Sequence, residues 1–89
     1  MPSAEVTIIN RLGLHARAAA KFVQTAAKCT ADIIVTKGDK KVNGKSIMGL
    51  MMLAAAQGAV ITISTSGDAA DAALQALIDL IANRFGEPE

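Results

Sequence analysis

The sequence predicts an α+β fold, a two-layer open-faced sandwich with a four-stranded antiparallel sheet covered on one side by three helices, in the order β-α-β-β-α-β-α. Short runs rich in β-branched residues take turns with longer stretches of alanine and leucine at helical spacing. Two of the short runs are separated only by a tight turn, which marks a hairpin and so antiparallel pairing. A sheet of this size cannot bury an apolar face alone, so helices must cover one side. With 89 residues there is room for a single domain over residues 1–89 and one modest core.

Glu5-Val6-Thr7-Ile8-Ile9 partly alternates and predicts the first strand, with Asn10 to Leu14 as the loop behind it. From Ala16 to about Lys28, Ala19, Phe22, Val23 and Ala26 recur at helical spacing while Lys21, Gln24 and Lys28 take other sides, which predicts a first helix. Ala31 to Thr36 is a second strand, Lys37-Gly38-Asp39-Lys40 a turn, and Lys41-Val42-Asn43 a short third strand. Ser46 is an N-cap type of residue ahead of Ile47-Met48-Gly49-Leu50-Met51-Met52-Leu53, a second helix for which Gly58 is a stop signal. Ala59 to Thr65 is the fourth strand, Ser66-Gly67 a turn and Asp68 a cap. The last helix runs from about Ala69 to Arg84 with Ala70, Ala73, Leu74, Leu77, Ile78 and Ile81 on one face. Gly86-Glu87-Pro88-Glu89 reads as a frayed tail.

Composition removes several functions. Net charge is +1, Trp and Tyr are absent and Phe22 and Phe85 are the aromatics, so neither a basic footprint nor a stacking platform for nucleic acid is present. The hydrophobic share of 52% is inflated by alanine, and no apolar stretch has the length of a membrane span. Met1-Pro2-Ser3-Ala4-Glu5 shows no export signal, so the expected location is the cytoplasm. One cysteine, Cys29, and one histidine argue against a disulfide or a structural metal site, and no cofactor is expected. Cys29 reads as a small filler near a helix end.

The chemistry points to that histidine, His15, at the mouth of the first helix. The opening amides of a helix have no intrahelical partner and the macrodipole adds positive charge, so the position attracts anions and favours a neutral imidazole able to attack. A cation two residues on, Arg17, works against the dipole unless an anion compensates, and guanidinium binds phosphate oxygens in a planar fork. Alanines at 16, 18, 19 and 20 leave the ring accessible to a partner. A solvated loop histidine and a surface arginine are the bland alternatives. Gly44-Lys45-Ser46 imitates a nucleotide loop, but five residues separate Gly38 from Gly44 where four are required. A Ser46-His15-Asp triad exists only in composition. The second helix carries apolar side chains nearly all round, so some of Ile47, Met48, Leu50, Met51, Met52 and Leu53 should face water, where methionine suits varied partners.

Leu12-Gly13-Leu14-His15-Ala16-Arg17, Asn43-Gly44-Lys45-Ser46-Ile47-Met48 and the element order resemble the HPr family, histidine-containing phosphocarriers of the bacterial phosphoenolpyruvate-dependent phosphotransferase system, over essentially the whole chain. The resemblance implies that His15 takes a phosphoryl group on Nδ1 from enzyme I and passes it to enzyme II A-domains. It implies a carrier without turnover of its own, acting as a monomer. Arg17 and the backbone N–H groups of Ala16 and Arg17 would steady the phosphate. Ser46 matches the family's regulatory serine, the target of an HPr kinase/phosphorylase in some lineages, and Ala20, Ile47, Met48 and Met51 would meet partner proteins. Ala18 departs from the family, many members having proline there, which loosens the expected rigidity of the first turn. A regulatory, nitrogen-type relay without sugar transport and a non-catalytic docking module are the alternatives.

Overall fold

The computed structural model describes residues 2–89. It contains β1 (Ser3–Thr7), α1 (Ala16–Ala27), β2 (Asp32–Lys37), β3 (Lys40–Asn43), α2 (Ile47–Met52), β4 (Val60–Ser66), α3 (Ala70–Ala82) and a closing 3-10 turn at Arg84–Gly86. The sheet order is β1-β4-β2-β3 and every neighbouring pair is antiparallel. The predicted architecture is therefore the observed one.

Strand alternation decides which side is covered. Ile61, Ile63 and Thr65 of β4 and Ile33 and Val35 of β2 are buried, while residues between them face outward. Register sets Ile63 opposite both Ala4 and Val35, and Val35 opposite Val42, so one inner row crosses all four strands. Onto this face α1 lays Ala18, Ala19, Phe22 and Ala26, and α3 lays Ala73, Leu77 and Ile81 at four-residue spacing. Phe22 and Phe85 are both fully buried, each contributing about 1.5–3 kcal/mol relative to an exposed ring. Cys29 is half-buried against this core.

Several boundaries differ from expectation. The first strand is Ser3–Thr7 and not Glu5–Ile9: Ile8 pairs instead with the loop, its N–H donating to Ala59 O (2.8 Å) and its carbonyl accepting from Gly58 N–H (2.7 Å). The second helix stops at Met52, well before Gly58, because Ala54 takes a left-handed φ of 52°. The expected cap at Asp68 is displaced to Ala69, itself at φ 55° with no side-chain cap, so the turn and not a carboxylate starts α3. That helix ends at Ala82, since Arg84 and Phe85 are also left-handed.

The frayed tail is a further correction. Phe85 plugs the core, Lys21 Nζ donates to its carbonyl (2.7 Å), and Arg11 N–H donates to Glu89 O (3.0 Å). Burial of one aromatic ring anchors the following residues beside the β1–α1 loop.

Candidate functional site

The loop from Asn10 to Leu14 is held by its own sequence. Gly13 sits at φ 69°, and a Cβ there would lie 2.6 Å from Ala55 O, so only glycine fits between the two segments. Leu14 is buried and its N–H donates to Ala55 O (2.8 Å). Asn10 is wholly buried and donates to Gly13 O (2.8 Å), bracing the loop from inside. The next residue, His15, is thereby delivered to the start of α1.

His15 is the N-cap of α1: its backbone is extended, its carbonyl accepts the first intrahelical bond from Ala19 N–H (2.8 Å), and its Nδ1 accepts from Arg17 N–H (3.3 Å). The amides of Ala16 and Arg17 open the helix beside the ring. On the ring's other side Nε2 meets Glu87 Oε2 at 2.5 Å. Nδ1 accepts and Nε2 faces a carboxylate, so the hydrogen-bond network assigns the proton of the neutral ring to Nε2 and the lone pair to Nδ1. The His15 side chain keeps 27% of its surface exposed and that of Glu87 only 11%.

Glu87 was not visible as a site residue in the sequence. Its Oε1 accepts from the second N–H of Asn10 (2.9 Å). Burial alone would raise its carboxyl, but the bonds from Asn10 and His15 and the electrostatic pull of His15 and Arg17 outweigh it and hold the carboxyl below its usual value of 4.5. Arg17 lines a small hollow of about 150 Å³ with Arg11, Leu12, Glu87, Pro88 and Glu89. The Glu87 carboxylate shares this hollow with Arg17, whose positive charge is the smallest of the influences that lower its carboxyl. A second, shallow hollow beside the ring is walled by Leu12, Leu14 and Ala54 to Ala56.

Ser46 is the N-cap of α2, its Oγ accepting from Gly49 N–H (3.0 Å). Lys45 Nζ instead donates to Cys29 O (2.8 Å), so Gly44-Lys45-Ser46 is a hairpin exit and cap with its lysine committed to main chain. Leu50 is the buried residue of α2, and Ile47, Met48, Met51 and Met52 are exposed to 41%, 76%, 46% and 69%. Leu12, 63% exposed, is a large apolar surface residue on the His15 loop that the sequence reading left out. Ala20 is half-buried on α1, which packs against α2. Among the described residues no group of His, Cys, Asp and Glu is placed to hold a metal ion, and no helix is long and apolar enough to cross a membrane.

A family model described as the PTS HPr component phosphorylation site matches residues 2–83. Phosphocarrier protein HPr of Neisseria meningitidis serogroup A is 58% identical over 84 residues, 94% of each chain. Phosphocarrier protein HPr of Pseudomonas aeruginosa is 52% identical over 90 residues, covering 100% of both chains. The crystal structure of HPr-C-His from Thermoanaerobacter tengcongensis superposes with a TM-score of 0.96 at 50% identity, covering 100% of both chains.

Proposed function

This chain belongs to the HPr family of phosphotransferase-system phosphocarriers, and from that premise we propose that it accepts a phosphoryl group from phosphorylated enzyme I on Nδ1 of His15 and passes it to enzyme II A-domains. The observation that carries the reading is the ring at the α1 N-cap, with its lone-pair nitrogen on the side of the opening amides. Nδ1 gives up the Arg17 N–H and attacks phosphorus with the freed lone pair as the donor's bond to phosphorus breaks, and the electron pair of that bond leaves with the donor. The amides of Ala16 and Arg17 and the guanidinium of Arg17 then neutralise charge on the phosphoryl oxygens. Phosphoryl transfer asks mainly for positioning and charge stabilisation, which these groups supply, and the partner proteins contribute the remainder.

The exposed side of α2, with Ile47, Met48 and Met51, together with Ala20 on α1, forms the face that meets donor and acceptor. Ser46 is the regulatory serine, open to an HPr kinase/phosphorylase, and its capping role is compatible with that because a phosphate would meet the same helix end. Incubation with enzyme I and phosphoenolpyruvate tests the reading. The wild type is expected to gain one acid-labile phosphate and His15→Ala none. Labelling of the His15→Ala protein would refute it. Competition between purified sugar-type and nitrogen-type acceptor domains identifies the branch in which the carrier works.

A further inference from the structure

We propose that Glu87 is the positioning residue of the phosphoacceptor: by taking the Nε2–H of His15 its carboxylate fixes the ring in the form whose lone pair is on Nδ1, and it balances the charge the ring gains on phosphorylation. The inference rests on His15 being the group that carries phosphate.

Two contacts select the same tautomer independently. With the proton on Nδ1, that nitrogen would face the Arg17 N–H donor, and the bare Nε2 would face a carboxylate oxygen. Both are repulsive, so the ring is held with its lone pair on Nδ1, where the long bond from Arg17 N–H (3.3 Å) is the one to be given up on attack. The carboxylate is itself built in, because both oxygens are engaged: Oε2 by His15 at 2.5 Å and Oε1 by Asn10 at 2.9 Å. Asn10 is 0% exposed and its other N–H is tied to Gly13 O, so Glu87 leans on a fixed support. Phe85 anchors the chain two residues earlier in the core, and Glu87 N–H closes the turn onto Arg84 O (2.9 Å).

The charge argument follows the bonds. A neutral ring with hydrogen on Nε2 donates its Nδ1 pair to phosphorus, the bond from phosphorus to the donor protein breaks with its electrons leaving on the donor, and the Nε2 proton stays in place. The product is an N-phosphorylated imidazolium, one positive charge more than the starting ring. Glu87 is the anion at the nitrogen opposite that bond, as the buried carboxylate is in a Ser-His-Asp triad. In onward transfer the same steps run in reverse and the ring returns neutral.

The test pairs a spectroscopic readout with a rate. His15 ring nitrogens labelled with 15N report the tautomer at alkaline pH in the wild type, in Glu87→Gln and in a chain lacking residues 87–89, which keeps Phe85 and so guards against a folding defect of the point variant. The wild type is expected to show a single Nε2–H form, and both variants ring shifts moved toward the mixture of free histidine, with phosphoryl uptake from enzyme I slowed about ten- to hundredfold, the cost of removing the partner that orients a metal-bound histidine. Glu5→Gln, on the outer face of β1, serves as the charge control and leaves both readouts unmoved. Unchanged ring shifts in both variants overturn the proposal even if uptake slows, since the loss would then be structural. Unchanged uptake with altered shifts overturns it as well. A wild-type protein that takes no phosphate overturns the carrier reading beneath it, whatever its tautomer.

Discussion

Gly13→Ala, compared with Gly38→Ala, separates backbone strain from steric contact at the loop that presents His15. Both glycines are left-handed, at φ 69° and φ 60°. A Cβ in that conformation costs about 1–2 kcal/mol. At Gly38 nothing lies within 4 Å of the added atom, so strain is the whole effect. At Gly13 the atom would meet Ala55 O at 2.6 Å and Ala56 Cα at 2.9 Å, both backbone, which must move. Overpacking of that kind adds about 1–3 kcal/mol, giving a total of about 2–5 kcal/mol. In a domain of this size each kcal/mol lowers the melting temperature by roughly 4–8 °C, so Gly13→Ala should lose clearly more than Gly38→Ala in calorimetric melting. The displaced Ala55 carbonyl is also the acceptor of Leu14 N–H, one residue before His15, so uptake of phosphate should fall in Gly13→Ala and not in Gly38→Ala. Equal melting shifts, or normal uptake in Gly13→Ala, would refute the reasoning.

Removing the Arg17 guanidinium with Arg17→Ala should slow transfer about ten- to hundredfold without abolishing it, the worth of a charge-assisted hydrogen bond read by quench-flow labelling. Ser46→Ala should lower stability by about 0.5–2 kcal/mol in urea, through loss of the bond to Gly49 N–H, and should block kinase-dependent labelling. Because the Glu87 carboxyl is held below its ordinary value, its ionised form stabilises the fold fully above pH 4.5, and that contribution is lost as pH falls through the lowered folded value. The stability gap between wild type and Glu87→Gln, measured by denaturant titration, should therefore shrink on acidification below that pH. A gap that is constant or widens contradicts the assignment.

Local patterns were enough for the helix faces and the hairpin. Phe22, Ala26, Leu77 and Ile81 are buried where helical spacing puts them, and β2 and β3 pair across a tight turn. His15 at a helix start was legible for the same reason, since a glycine loop and a run of alanines announce the boundary. What was not legible depends on distant chain. Placement of β4 between β1 and β2 is a tertiary choice. Alanine at 54 and 69 carries no sign of a left-handed φ, which packing imposes, and it moved both helix boundaries. Glu87 sits in a segment whose Gly, Pro and Glu content reads as solvent-loving, while its partner is 72 positions away. Asn10, by contrast, offered a hint: a polar residue three before Gly13, in a loop about to start a helix, suits a side chain that bonds the main chain.

The neighbourhood of the ring draws on both extremes of the chain, β1 held by β4 and Oε2 supplied by residue 87. On the ribosome, where the amino-terminal part emerges first, β1 waits without β4, the strand it pairs with, and α1 without α3. Such distant pairings close slowly, so the fold forms as one late event. The phosphate-handling end of the molecule is therefore finished last, and a translation product cut short before Glu87 would display His15 in a surrounding it does not have in the complete domain.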